Sequence, residues 1–269
     1  MPTAHQRGAY LCYSASRFKL NVYRPQRIMP QDSIKTNDTD RIDWSEIDIA
    51  FLDLDGTVLD LNYDNTIWND HLPVVYAEKR GLTIDTARAE LFDEMKNIRG
   101  TIEFYSLDYW ERFTGLDMDQ LHRDHSNLVT YRHNALAFLR WLKSQQITTV
   151  LATNAHRRSL GVKNAVINFS AELDQIVSSQ DFQIPKEDVG YWHAMLKAIQ
   201  FDPSRAFFAD DNEPVLAAAR QFGIAELWHV STPDSQRSRP PSTQFPSFDD
   251  YAELCPDLQP AFEREGNRA

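Results

Sequence analysis

Apolar and polar positions along the chain follow two alternating periods. Ile49-Ala50-Phe51-Leu52 is a short unbroken apolar run, the pattern of a strand buried on both faces of a parallel sheet. The β-branched run 147–152, then 174–178, Ala206-Phe207-Phe208-Ala209 and 226–230 read as further strands. Between them, apolar residues recur every three or four positions, which predicts helices over 134–143, 158–167, 188–200 and 214–222. Pro214 suits the first turn of the last of these. Strands alternating with helices imply right-handed crossovers and an α/β fold with a doubly wound parallel sheet.

Between the first strand and the second the period stays helical. Helices are expected over 66–80, 85–98, 104–113 and 118–128, with Gly81, Gly100 and Gly115 as stops. Residues 62–131 therefore read as an all-helical cap inserted into a core made of 45–61 and 132–231. The ends differ from this body. Residues 1–40 are locally basic, through Arg7, Arg17, Lys19, Arg24, Arg27 and Lys35, and show no period. They read as a poorly ordered extension, with Met29 as the natural start. Residues 232–269 read as an irregular tail rich in Pro, Ser, Gln and Arg at its start, with a short helix at 249–254.

Charge and cysteine usage narrow the function classes. A net charge of -11 and a pI of about 5.2 argue against a general nucleic-acid or membrane-surface binder. An anionic substrate then needs local attraction, by a metal or a few placed cations. Cys12 and Cys255 lie near opposite ends, so neither a disulfide framework nor a C-x-x-C site is in view. With no apolar run of membrane-spanning length and no signal-peptide segment at the N-terminus, the expected location is the cytoplasm.

The candidate chemistry sits where strands end. Asp53 and Asp55 follow the first strand at positions that point the same way along an extended chain, and Gly56 allows a sharp turn. Clustered negative charge there calls for a divalent cation. Thr153-Asn154 ends the second strand, Asp210-Asp211 ends another, and Lys186 lies in a loop just before a helix. In a doubly wound sheet ligands bind at the carboxyl ends of the strands, so these groups are expected on one rim.

Asp53-Leu54-Asp55-Gly56-Thr57, Thr153, Lys186 and Asp210-Asp211, in this order, resemble the motif set of the haloacid dehalogenase superfamily of phosphotransferases. The closer resemblance, over roughly 42–251, is to the bacterial GMP/IMP nucleotidases. It is prompted by Ile42-Asp43-Trp44, Asp60-Leu61-Asn62-Tyr63-Asp64-Asn65, Leu107-Asp108-Tyr109-Trp110, Pro185-Lys186-Glu187-Asp188 and Pro233-Asp234-Ser235-Gln236-Arg237. The resemblance implies Asp53 as the nucleophile that forms an aspartyl-phosphate, and Asp55 as general acid and base. It implies Mg²⁺ held by Asp53, the Asp55 backbone carbonyl and Asp210, with Asp211 in support. Gly56, Thr153, Asn154 and Lys186 would hold the phosphoryl oxygens of a small phosphomonoester, a purine nucleoside monophosphate.

The carboxylic acid at Asp55 favours phosphate ester chemistry over dehalogenation, which needs no such acid. A sugar-phosphate phosphatase or phosphomutase shares these motifs, and a non-catalytic regulator phosphorylated on Asp53 is a third reading. In the cap, Trp68, Tyr105, Tyr109 and Trp110 have the spacing of packing residues, whereas Tyr63, Asp64, Asn65 and Arg99 are candidates for reading the base or ribose. His122, His125 and His133 read as scattered surface or helix-face histidines, since no cysteine or acidic partner stands at zinc-ligand spacing.

Overall fold

The computed structural model describes residues 42–238, 242, 244–255, 257 and 258; the basic extension and the proposed start at Met29 lie outside them. Six strands, β1 (Ile49–Leu52), β2 (Thr148–Thr153), β3 (Gln175–Ser178), β4 (Ala206–Asp210), β5 (Glu226–Val230) and β6 (Ser247–Phe248), form one sheet in the order β3-β2-β1-β4-β5-β6. Every pairing is parallel, and Phe51 at the centre lies beside Val150 on one side and Phe208 on the other. The chain steps outward from β1 to β3, then returns to the other side of β1 for β4. The strand order therefore reverses at β1, which places a crevice at its carboxyl end.

Between β1 and β2 the chain builds helices: α1 (Asn62–Asn65), α2 (Leu72–Arg80), α3 (Ile84–Asn97), α4 (Leu107–Thr114) and α5 (Met118–Asp124). Sequence periodicity suggests one helix over 66–80, but the structure starts it earlier and widens a turn. Asp60 accepts the Asn62 N–H at 2.9 Å and so begins α1. A π-helical segment, Thr66–His71, then joins α1 to α2. Pro73 accounts for it: proline has no N–H to offer the Asn69 carbonyl and its ring crowds that oxygen, so a wider turn relieves the clash. Side-chain caps on Thr83, Ser106 and Asp117 start α3, α4 and α5.

After the insertion come α6 (Ala135–Ser144), α7 (Arg157–Ile167), α8 (Ser179–Phe182), α9 (Val189–Ile199), α10 (Glu213–Phe222) and α11 (Tyr251–Leu254). Alternate strand residues feed two apolar layers, as a pleated strand requires. Ala50, Leu52, Leu151 and Phe207 pack with Phe138, Leu139 and Leu142 of α6 and Leu160 of α7. Ile49, Phe51, Val150 and Phe208 pack with Tyr191, Trp192 and Met195 of α9 and with Val215, Leu216 and Ala219 of α10. Each leucine, isoleucine, valine, methionine or phenylalanine among them, removed from water, contributes about 1.5–3 kcal/mol. The first layer continues through Leu54, Val58, Leu59 and Tyr63 to Ile67, Leu107 and Trp110 of the insertion.

The segments leaving and re-entering the core run side by side. Asp60 N–H donates to the Thr130 carbonyl at 3.0 Å, and Arg132 N–H donates to that of Val58 at 3.0 Å. A second tie is ionic: Arg158 of α7 meets Asp108 at 2.6 Å, Asp119 at 2.7 Å and also Glu111, all on the insertion.

The expectation of an irregular tail over 232–269 needs correction at 247–248. Ser247–Phe248 adds β6 to the sheet edge, with His229 N–H donating to the Pro246 carbonyl at 2.8 Å and Ser231 N–H to that of Phe248 at 2.9 Å. Two residues carry no detectable period; the exposed edge of β5 and burial of the Phe248 ring create the strand. Among the described residues no helix is long and apolar enough to cross a membrane.

Candidate active site

β1, β2 and β4 end side by side, and the pairing continues one step beyond β1, where Asp53 N–H donates to the Ala209 carbonyl at 3.0 Å. That bond sets Asp53 next to Asp210, the last residue of β4. Carboxylate oxygens of Asp53, Asp210 and Asp211 lie within 4.8 Å of one another. Lys186 reaches into the same place from the loop before α9. It is 2 % exposed, and its ammonium group donates to Asp53, to Asp210 Oδ2 at 2.7 Å and to the Ala152 carbonyl at 2.9 Å.

Burial raises the Asp53 carboxyl well above the usual carboxylate range; Lys186 pulls it down, while Asp210 and Asp55 push it further up. Asp210 is raised by burial as well, against the pull of Lys186. One ammonium group among three carboxylates leaves an excess of negative charge in a dry place. A hard divalent cation with oxygen ligands suits that donor set and would favour the ionised form of both carboxyls.

Asp55 stands apart from this cluster. Its Oδ1 accepts a hydrogen bond from Lys163 Nζ at 2.6 Å, and the same ammonium group meets both oxygens of Asp64 at 3.0 and 2.8 Å. Lys163, on α7, is 1 % exposed and lies over the Tyr63 ring at 5.2 Å. Burial pushes its ammonium group down, and the Asp55 and Asp64 charges more than offset this, so its pKa ends above the ordinary lysine value. Burial, then the Asp64 carboxylate, raises Asp55 despite the lysine.

Gly56 turns the loop with φ +91°, and a Cβ there would meet Pro233 Cβ at 2.8 Å and Asp211 Cγ at 3.0 Å. Only glycine allows both the backbone angle and that approach. Thr57, buried beside it, has no hydrogen-bond partner for its hydroxyl, while its carbonyl accepts from Tyr251 at 3.0 Å. Thr153 Oγ1 accepts the Ala155 N–H at 3.0 Å, shaping the turn into α7. Asn154 bonds within the protein through both ends of its amide: Oδ1 accepts the Lys186 N–H at 3.0 Å and Nδ2 donates to Glu187 Oε2 at 3.0 Å. Its side chain positions Lys186.

The candidates for reading a base are also engaged. Tyr63 is 1 % exposed, with its hydroxyl at 2.9 Å from His122 Nδ1; Asp64 holds Lys163; Asn65 donates to Asp234 Oδ2 at 2.6 Å. Arg99 is exposed on the loop after α3. His122 is buried at 1 % exposure, in contrast to the surface or helix-face position read from its spacing. The residue that sequence reading passed over is Lys163. Its only signal is a lysine among apolar neighbours on a helix, a pattern shared with solvated lysines.

Comparisons with known proteins fit this geometry. Residues 47–223 match the family model of the haloacid dehalogenase-like hydrolases. The GMP/IMP nucleotidase YrfG of Escherichia coli (strain K12) is 36 % identical over 217 residues, covering 81 % of this chain and 98 % of that protein, and the protein of that name from Shigella flexneri matches equally. Among solved structures, a HAD phosphatase from Thermococcus onnurineus superposes with a TM-score of 0.65 at 16 % identity, over 77 % of this chain and 96 % of that one. The defluorinating L-2-haloacid dehalogenase Rha0230 superposes with a TM-score of 0.54 at 18 % identity, over 79 % and 95 %. The parallel sheet, the helical insertion after its first strand and the extent of the family match agree: this chain belongs to the haloacid dehalogenase-like hydrolases.

Proposed function

We propose that the protein is a Mg²⁺-dependent phosphatase that hydrolyses purine nucleoside 5′-monophosphates, GMP and IMP, through an aspartyl-phosphate on Asp53. The observation that carries the phosphatase reading is the division of labour between Asp53 and Asp55. One carboxylate lies in the cation cluster, and the other, two residues on, is held apart from it by its own lysine. A dehalogenase has no use for that second, protonatable group. The purine preference rests on the similarity to YrfG over nearly its whole length.

Asp53, Asp210 and Asp211, with the Asp55 backbone carbonyl, would hold the Mg²⁺, which when bound offsets the negative charge of nucleophile and substrate. Asp53 attacks phosphorus and forms the phosphoryl–enzyme, so that one difficult displacement becomes two easier ones. Asp55 gives its proton to the leaving ribose oxygen and then takes one from the attacking water, a role worth roughly 10²–10⁴-fold. Lys186 holds Asp53 in place and sets a fixed positive charge beside the phosphoryl oxygens. Gly56, by its close approach to Pro233 and Asp211, shapes the loop beside those oxygens, and Thr153 shapes the turn opposite. The acidic surface charge and the buried free thiol of Cys255 go with a reducing, cytoplasmic setting.

The test is a phosphate-release screen over nucleoside monophosphates and sugar phosphates, with and without Mg²⁺. Release from GMP and IMP above all others, abolished by chelation and by Asp53→Asn, supports the reading. Equal or better release from sugar phosphates overturns the purine assignment.

A further inference from the structure

Among the described residues, Lys163 is a buried cation near the cluster that the proposed chemistry leaves without a task. Its three ammonium hydrogens are matched by three acceptor contacts: Asp55 Oδ1, Asp64 Oδ1 and Asp64 Oδ2. Burying an ammonium group is costly unless it is paired, so a lysine at 1 % exposure requires both carboxylates. The three residues come from three parts of the chain. Asp55 follows β1, Lys163 is on the core helix α7, and Asp64 is on α1, the first helix of the insertion.

We propose that Lys163 is a positioning residue that fixes the side chain of Asp55 so that one chosen oxygen, Oδ2, carries the proton delivered to the leaving group. An ammonium group can only donate, so the Asp55 oxygen it occupies cannot carry the acid proton toward it; the proton goes on the other oxygen. Asp64 holds the far side of the same ammonium group. The orientation of the acid is thereby tied to the seating of the insertion on the core.

This deepens the phosphatase reading and rests on it. As the Asp53 oxygen bonds to phosphorus, the bond from phosphorus to the ester oxygen breaks, and that oxygen takes the proton from Asp55 Oδ2. In the second step Asp55 takes a proton from water, whose oxygen bonds to phosphorus as the Asp53–phosphorus bond breaks. Phosphate leaves, and both carboxyls return to their starting forms. A misdirected Asp55 slows the second step for every ester, but up to leaving-group departure, which kcat/KM reports, it harms esters whose leaving oxygen needs protonation and spares those whose leaving group departs as a stable anion.

The experiment compares GMP with p-nitrophenyl phosphate, whose leaving group needs no acid, in the wild type, Lys163→Met and Lys163→Arg. Lys163→Met keeps the stem and removes the charge. Lys163→Arg keeps the charge and with it the fold, but the longer planar guanidinium cannot put an N–H at the same point on Oδ1. We expect kcat/KM on GMP to fall about 10²-fold and kcat/KM on p-nitrophenyl phosphate to fall only a few-fold. Should the methionine variant lack a cooperative unfolding transition, the arginine variant alone decides. An unchanged ratio of the two kcat/KM values, whether both fall together or neither falls, overturns the assignment of Lys163. Absence of phosphate release from both esters by the wild type overturns the phosphatase reading itself.

Discussion

Tyr105, on the helical insertion, donates its hydroxyl hydrogen bond to Glu187, the neighbour of Lys186 in sequence. Glu187 also accepts from Asn154, and Asn154 accepts the Lys186 N–H at 3.0 Å. The insertion is thus hydrogen-bonded to the segment that delivers Lys186 to Asp53. Tyr105→Phe removes one hydrogen bond to the half-buried Glu187, at a cost of about 0.5–1.5 kcal/mol. Activity on GMP should fall in Tyr105→Phe and in Glu187→Gln, and the double variant should lose less than the two single losses combined. A double-mutant cycle on kcat checks this, and additive losses would refute the coupling.

Cation binding should stabilise the fold. Carboxylate oxygens of Asp53, Asp210 and Asp211 are brought within 4.8 Å of one another only by folding, so Mg²⁺ should bind the folded chain in preference to the unfolded one. At a hundred times Kd, Mg²⁺ should add about 2.7 kcal/mol, seen as a rise in Tm that chelation reverses. In Asp210→Asn the rise should nearly vanish. A Tm indifferent to Mg²⁺ in the wild type would count against a cation at these residues.

His122 should give stability an acid limb. Burial lowers its pKa to about 3 from an ordinary value near 6.5, Lys163 pushes the same way, and Asp55 opposes. The folded chain thus keeps the ring neutral where the unfolded chain protonates it. Between those values the unfolded state binds more protons, so stability rises with pH, by at most about 1.4 kcal/mol per unit, and is lost as pH falls from 6.5 toward 3. His122→Gln keeps a polar group for the Tyr63 hydroxyl and removes the titration. The difference between wild-type and variant unfolding free energies, measured from pH 7 to 4, should shrink toward acid; a flat difference would show that the ring protonates freely in the fold.

Gly56→Ala should destabilise the protein through its backbone. At φ +91° an L residue is strained, and its Cβ would lie 2.8 Å from that of Pro233. Pro233 cannot easily retreat, since its carbonyl accepts the Leu61 N–H at 2.9 Å. A loss of about 1–3 kcal/mol is expected, or a fall in Tm of several degrees for a domain of this size, with the loop carrying Asp55 displaced and activity reduced. Calorimetry together with the phosphate assay checks both.

Much of the fold was legible because it depends on local period and chain direction. An apolar run ending in Asp53, another ending in Thr153 and a third ending in Asp210 imply parallel strands whose ends share an edge, whatever the details between them. The widened turn at Thr66–His71 was less legible, because Pro73 perturbs a helix without ending it. β6 was illegible for a different reason: two residues have no period, and the edge of β5 makes the strand. Asn154 could be placed near the site but not given its bonds, which depend on where Glu187 and the Lys186 backbone come to rest.

By itself the sequence determined the order of strands and helices, the stretch from which an insertion would grow, and the carboxylates that stand at strand ends, because these follow from residue type and spacing along one continuous chain. The tertiary structure alone decided what each polar side chain meets: Lys163 on Asp55 and Asp64, Lys186 between Asp53 and Asp210, His122 sealed against Tyr63. A lysine on a helix looks the same in sequence whether it faces water or a carboxylate more than a hundred residues away. Only the packing of the elements, by removing water from some faces and not others, turns that lysine into a buried partner whose charge must be matched.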